Sequence, residues 1–212
     1  MTLTFEELKF QIIDKQRKTE INKLFHLYLK AETYGDILRI VKSESNFKWI
    51  LQNGFREFIP YFPTEELENE NIYSREVELT DQNSDIILLA GARLILRQSK
   101  NYRCRVISDG ANASISVTDT AMVEIETYGR GTVNVYSSGW GYAYLTTRNY
   151  SQIKLFGNDN STFYLEAYQD SNINAQLQPN SYIYYKLYDE AILNSNTGNI
   201  YGKQNDKSQI FT

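Results

Sequence analysis

The sequence holds one cysteine, Cys104, and one histidine, His26, in 212 residues. A single thiol forms no internal disulfide, so a reducing, cytosolic setting in a host cell is expected. A Ser-His-Asp or Cys-His arrangement would have to recruit His26, which lies between Phe25 and Leu27 in a helical pattern and reads as a helix-packing residue. One His and one Cys also leave a zinc site short of soft ligands, and the glycine-aspartate nonapeptides of calcium-binding β-rolls are missing, so no cofactor is expected. No apolar run approaches the ~18 residues of a membrane helix, and the opening MTLTFEELKFQ lacks the basic and apolar stretches of a secretory signal. The basic excess of a general nucleic-acid binder is missing too: 22 Lys and Arg stand against 26 Asp and Glu. Prolines number only three. Tyrosine is abundant instead, at seventeen, and it is both a strand former and a residue of binding surfaces.

Two periodicities divide the chain. Residues 5 to about 70 follow a helical pattern. Thr4 is placed to cap a helix, with Glu7 closing the box. Phe5, Leu8, Ile12 and Ile13 share one face, and Ile21, Leu24, Phe25, Leu27 and Leu29 follow. Gly35-Asp36 is expected to interrupt, with a second helix over Ile37 to Val41. Ser45 is expected to cap a third over Asn46 to Gln52, ended by Asn53-Gly54. Pro60 and Pro63 break the chain, and Thr64 caps a short acidic turn.

After about residue 74 the period becomes two, and from Ala121 a ten-residue unit repeats eight times. Its first residue is small (Gly131, Gly141, Ser151, Ser161, Ser171, Ser181). Its third and fifth are mostly apolar (Ile153 and Leu155, Phe163 and Leu165). Its ninth is a turn former in every copy but the one with Gln169. Positions three and five share parity and point to one side of a short strand; even positions point to the other. One strand and turn cannot bury an apolar face alone, but stacked copies can.

The outward residues repeat at twenty. Units starting at 121, 141, 161 and 181 carry ten tyrosines, among them Tyr142, Tyr144, Tyr164, Tyr168, Tyr182, Tyr184 and Tyr188; the interleaved units carry only Tyr136. A coil of two strands and two turns accounts for both periods. The expected fold is therefore mainly β: a parallel β-solenoid of about twenty residues per two-strand coil, residues 74–212, behind a helical N-terminal cap, residues 1–73. Coils stack at roughly 4.8 Å, which places Tyr144, Tyr164 and Tyr184 in a ladder on one sheet and Asn174 and Asn194 on the other, in a rod ~30 Å long. The helices would cover the first open edge, which otherwise invites aggregation.

The Asn- and Ser-punctuated strands of SQIKLFGNDNSTFYLEAYQDSNINA, behind a segment containing WILQNGF (49–55), resemble β-solenoid proteins encoded by Bacteroidota and their phages. The resemblance implies the fold and an origin in a mobile element. It implies no established activity, and no functional residue is carried over from it.

Little in the chain points to catalysis. Cys104 shares parity with Leu94 and Val106 and reads as a core residue. GRGTVNV (129–135) lies between strands and is a turn, not a phosphate loop. Glu124, Glu126 and Glu166 face outward; Glu126 and Glu166, two coils and so roughly 10 Å apart, give the best case for a glycan-cleaving pair. Two surface features remain. The tyrosine face has the aromatic, lightly charged composition of an interface core, and it would also suit stacking on sugars or unpaired bases. Strand propensity alone would make tyrosine rows too, but on both sheets. Arg93, Arg97, Lys100, Arg103 and Arg105 form a basic run, of which Arg103 and Arg105 are expected to contact a charged or RNA-bound partner. The expected function is non-catalytic binding: a phage or mobile-element accessory factor that sterically inhibits a host protein or ribonucleoprotein, such as a defence nuclease, in the manner of an anti-CRISPR protein. The alternatives are a tail-fibre or adhesin-type glycan-binding module and, third, a glycan-active enzyme.

Overall fold

The computed structural model describes residues 3–18, 25–43, 55–197 and 199–212. The chain divides into two compact units, Met1–Ile72 and Tyr73–Thr212.

In the first unit, helix α1 (Phe5–Lys18) starts at the expected reciprocal cap: the Glu7 amide donates to Thr4 Oγ1 (3.3 Å) and the Thr4 amide to Glu7 Oε2 (2.8 Å). Its buried face is Leu8, Ile12, Ile13 and Gln16. On α2 (Phe25–Lys30) Tyr28 is buried, while Leu29, expected in the core, is exposed, as is His26. Gly35-Asp36 does not interrupt a helix but begins one. In α3 (Tyr34–Lys42) Thr33 is the N-cap, and Asp36 closes a capping box back onto it. The helix expected over Asn46 to Gln52, with Ser45 and Asn53-Gly54 at its ends, falls outside the described residues, as do Ile21 and Leu24. Pro60 sits inside a short 3-10 turn, Ile59–Tyr61. Thr64 is the first residue of α4 (Thr64–Asn69), not its cap, because Pro63 holds the cap position. Phe55, Phe58, Phe62 and Tyr34 meet edge-on or tilted at 5.8–5.9 Å to fill this unit's core. None of the described helices is long and apolar enough to cross a membrane.

The second part of the chain is a parallel β-solenoid. One sheet runs β1 (Ile72–Tyr73), β3 (Ile86–Leu88), β5 (Arg103–Asp109), β7 (Met122–Tyr128), β9 (Tyr142–Thr147), β11 (Thr162–Ala167), β13 (Tyr182–Leu187), β15 (Ile200–Gln204). The other runs β2 (Glu76–Thr80), β4 (Arg93–Gln98), β6 (Asn112–Val117), β8 (Thr132–Ser137), β10 (Gln152–Gly157), β12 (Asn172–Leu177), β14 (Ile192–Ser195), β16 (Gln209–Phe211). Every strand therefore pairs with one a full coil away. Ile153 lies beside Val133 and Ile173, a step of twenty residues. Coils are shorter towards both ends, where seventeen residues separate Val77 from Leu94 and Ile183 from Ile200.

Four positions per ten are buried: the expected apolar pair, the small corner residue, and position seven, which was not expected. Positions three and five carry the apolar core: Val133, Val135, Ile153, Leu155, Phe163, Ile173 and Ile183 are all at most 1% exposed. Position seven is buried as well (Thr127, Ser137, Thr147, Ala167, Leu177, Leu187), and so is position one. The buried serines are satisfied at the corners: Ser171 Oγ donates to the Tyr168 carbonyl (2.6 Å), Ser151 Oγ to that of Arg148, and Ser161 Oγ to Ser181 Oγ (3.1 Å). Room there is short. A Cβ on Gly131 would lie 2.2 Å from the Ala111 carbonyl oxygen.

Position nine turns the chain with positive φ, as at Asp119, Gly129, Asn149, Asp159 and Asp189. Gln169, the exception by composition, adopts the same geometry (φ 55°). Its Oε1 accepts the Asn149 amide one coil back (2.9 Å), just as Asp189 Oδ2 accepts the Gln169 amide (3.0 Å) and Asp159 Oδ2 that of Gly139 (3.2 Å). The residue at position nine therefore turns its own corner and caps the previous one.

Candidate docking face

The odd-numbered strands from β7 to β15 present one outward sheet face. Parity carries positions two, four, six and eight of each unit to it in rows along the solenoid axis. Row four is Glu124, Tyr144, Tyr164, Tyr184 and Tyr201, each beside the next in register. Tyr144 stacks on Tyr164 at 4.6 Å and 7° and Tyr164 on Tyr184 at 5.4 Å and 18°, while Tyr201 lies tilted against Tyr184 at 5.9 Å and 32°. Row two holds Tyr142, Thr162 and Tyr182. In row eight, at the corner, the Arg148 guanidinium lies 4.1 Å over the ring of Tyr168, which stacks on Tyr188 (4.7 Å, 5°). Row six is Glu126, Thr146, Glu166, Lys186 and Lys203. A shallow depression of about 350 Å³ lies among Tyr164, Tyr184, Tyr201, Lys186 and Lys203.

The face thus gathers the seven tyrosines expected at the site. Tyr201 was not foreseen here, and Lys203 was expected only to blunt the open C-terminal end, because the short last coil shifts both out of the ten-residue register. Arg103 and Arg105 lie on β5 of the same sheet, beside Met122 and Glu124. Arg105 is not a free contact: its side chain is 18% exposed, bonded to Asp85 and 3.9 Å from Glu126. The basic run is not one patch either. Arg93 and Arg97 belong to the opposite sheet, where they pair with Glu76 (3.8 Å) and Glu78. That sheet carries the expected Asn174–Asn194 contact (3.2 Å) and a smaller aromatic pair, Tyr136 on Phe156 at 4.7 Å.

The stacking direction decides what the tyrosines can do. Each interior ring has a neighbour on both faces, so the ladder presents ring edges and phenol oxygens outward. Sugars and bases bind aromatic side chains through their faces, and those of Tyr164 and Tyr184 are occupied by neighbouring rings. Partial burial raises the phenol pKa of Tyr164, and burial together with the Glu166 carboxylate raises that of Tyr168, so both stay neutral donors at neutral pH. The carboxylates fit acid catalysis poorly. Glu166 accepts from Lys186 Nζ (2.8 Å) and Tyr168 Oη (3.2 Å), and the lysine bond above all holds its pKa below the usual carboxylate range. Glu126 accepts from Tyr128 Oη (2.9 Å) and lies beside Arg105. Cys104 is buried in the core, and desolvation pushes its thiol pKa up to about 12, the wrong direction for a nucleophile.

No family model, curated protein or solved structure matches the chain.

Proposed function

We propose that the protein is a non-catalytic accessory factor of a phage or other mobile element that docks on a host protein through the tyrosine-ladder face and inhibits it by occlusion. The observation that carries this reading is the ladder itself. Tyr144, Tyr164 and Tyr184 stay 36–44% exposed while stacked on their neighbours. A partner that covers them gains amphipathic aromatic area with little further loss of side-chain freedom. Edges bearing hydroxyl donors suit the carbonyl and carboxylate acceptors of a protein surface. The mobile-element origin rests on the resemblance to solenoids of Bacteroidota and their phages, and a defence nuclease is the target such an inhibitor would have.

The test uses tagged wild-type protein and a triple variant, Tyr144→Thr, Tyr164→Thr and Tyr184→Thr, in lysate of the native host, followed by titration of the purified target. Threonine keeps strand propensity and already stands at 146 and 162 of the same face. The expected result is one stoichiometric protein held by the wild type, inhibited on binding, and released by the variant with its circular dichroism unchanged. Equal binding by a folded variant would sink the proposal.

A further inference from the structure

We infer that the tyrosine-ladder face also pairs with itself, so that two copies associate through it about a twofold axis running parallel to the strands over β11. The inference rests on reading this face as a protein-docking surface, and it names what covers the face when no other partner does.

Over the three central strands of the face, rows two and four are symmetric about β11 in their aromatic groups. Row four reads Tyr144, Tyr164, Tyr184 and row two reads Tyr142, Thr162, Tyr182, over β9, β11 and β13. In rows four and six the charges at the two ends of the face are opposite. Glu124 and Glu126 stand on β7, two strands to one side. Lys203 stands on β15, two strands to the other, with Lys186 on β13 between. A twofold axis along the strands turns the rung order round and keeps the rows. Tyr144 of one copy then meets Tyr184 of the other, Tyr164 meets its own counterpart, and Glu126 faces Lys203 at both ends. Like charges meet only at Glu166 on the axis, and Lys186 already neutralises that carboxylate at 2.8 Å. A contact in which the same patch serves both subunits requires this self-complementary pattern, and a face built only for solubility has no reason to sort its charges by end.

Five strands at ~4.8 Å and six residues at ~3.3 Å give a footprint of roughly 20 by 20 Å per copy. That is small beside the ~800 Å² per partner of a standard interface. A contact of that size suits a weak, reversible dimer that yields to a partner that binds more tightly.

Sedimentation velocity on the full chain, over a concentration series from about 1 to 300 µM, tests this with two charge reversals, E126K and K203E. The wild type is expected to pass from monomer to dimer. Each reversal alone places like charges at both ends and is expected to raise the dissociation constant at least tenfold. An equimolar mixture of the two restores opposite charges at both ends and is expected to return it to within about threefold of wild type. E124K, which faces Tyr201 one row from Lys203, replaces E126K, with a smaller expected rise, if losing the contacts of Glu126 with Tyr128 and Arg105 unfolds that variant. Oxidation of Thr162→Cys, next to the axis, is expected to cross-link two copies, whereas Met122→Cys is not. A wild type that stays monomeric to 300 µM, reversals that dimerise normally, or a mixture that fails to recover would each overturn the inference. If the wild type is monomeric yet captures a host protein through Tyr164, only this inference falls. If it dimerises as described and the wild type, diluted below its dissociation constant, captures no host protein, only the proposed function falls.

Discussion

Replacing Tyr164 by Thr separates what the ladder does for folding from what it does for binding. Tyr164 makes two stacks, at 4.6 Å and 5.4 Å, and is 36% exposed. Each aromatic pair contributes about 0.5–1.5 kcal/mol beyond its buried area, so losing both costs roughly 1–3 kcal/mol. Threonine is a comparable strand former, so propensity adds little. Tyr144 stacks on only one tyrosine, and Tyr144→Thr should cost about half as much. A double-mutant cycle on Tyr144 and Tyr164, measured by urea unfolding, isolates the shared stack, with an expected coupling of about 0.5–1.5 kcal/mol. A coupling below about 0.3 kcal/mol would show that the rings are neighbours by register alone, and the preorganisation argument would go with it.

Phe163 is fully buried between β9 and β13, and Phe163→Ala is expected to destabilise the solenoid by about 3–5 kcal/mol in the same urea assay. Gly131→Ala puts a methyl 2.2 Å from the Ala111 carbonyl oxygen, so it should cost ~1–3 kcal/mol by forcing two coils apart; a variant as stable as wild type would mean the corners are looser than described. The pKa of Glu166 is lowered in the folded state, so its contribution to stability is complete above the unfolded carboxylate pKa and is lost as pH falls through the lower folded value. Lys186→Gln should move the Glu166 titration up toward the ordinary range, read by NMR of the side-chain carboxyl, and no movement would discard the assigned cause. Against a captured partner, Tyr164→Thr and Tyr184→Thr should weaken binding more than Tyr201→Thr, whose ring is tilted by 32° and half exposed; calorimetry giving the opposite order would refute rigidity as the source of affinity.

The solenoid was legible because its inner apolar positions and its turn residues repeat at one period and its outer residues at twice that period. What stayed hidden were buried positions filled by residues that look like surface. Position seven holds Thr127, Ser137, Thr147 and Gly157 before it becomes Ala167 and Leu177, so its inward parity carries no hydrophobic signal. Position one was legible as a small residue at a crowded corner; what its serines did not show is that each buried hydroxyl finds a partner there. In the helices, Gly35 outweighed the more specific pairing of Thr33 with Asp36 across the first turn. The basic run misled for a topological reason. Neighbours in sequence alternate between sheets, while Arg97 and Arg105 meet acids about one coil earlier, Glu78 and Asp85. Extending the twenty-residue period upstream of Ala121 finds Arg105 with Asp85, but not Arg97 with Glu78, which lie in a coil of seventeen residues.

The same topology accounts for the tyrosine face. In a parallel solenoid, equal positions in successive coils are about one strand spacing apart, close to the contact distance of stacked rings. Tyrosine repeated at twenty residues therefore stacks on itself without any ligand, and the observed 4.6 and 5.4 Å separations follow. Folding explains why the rings are stacked. It does not explain why the rows of tyrosine lie on one sheet, or why they are bounded by Glu124 and Glu126 at one end and Lys203 at the other. The core is indifferent to which outward face carries the rings. Both features sit at the surface, where a partner or a second copy would read them, and charge reversal at the two ends alters that reading while leaving every stack in place.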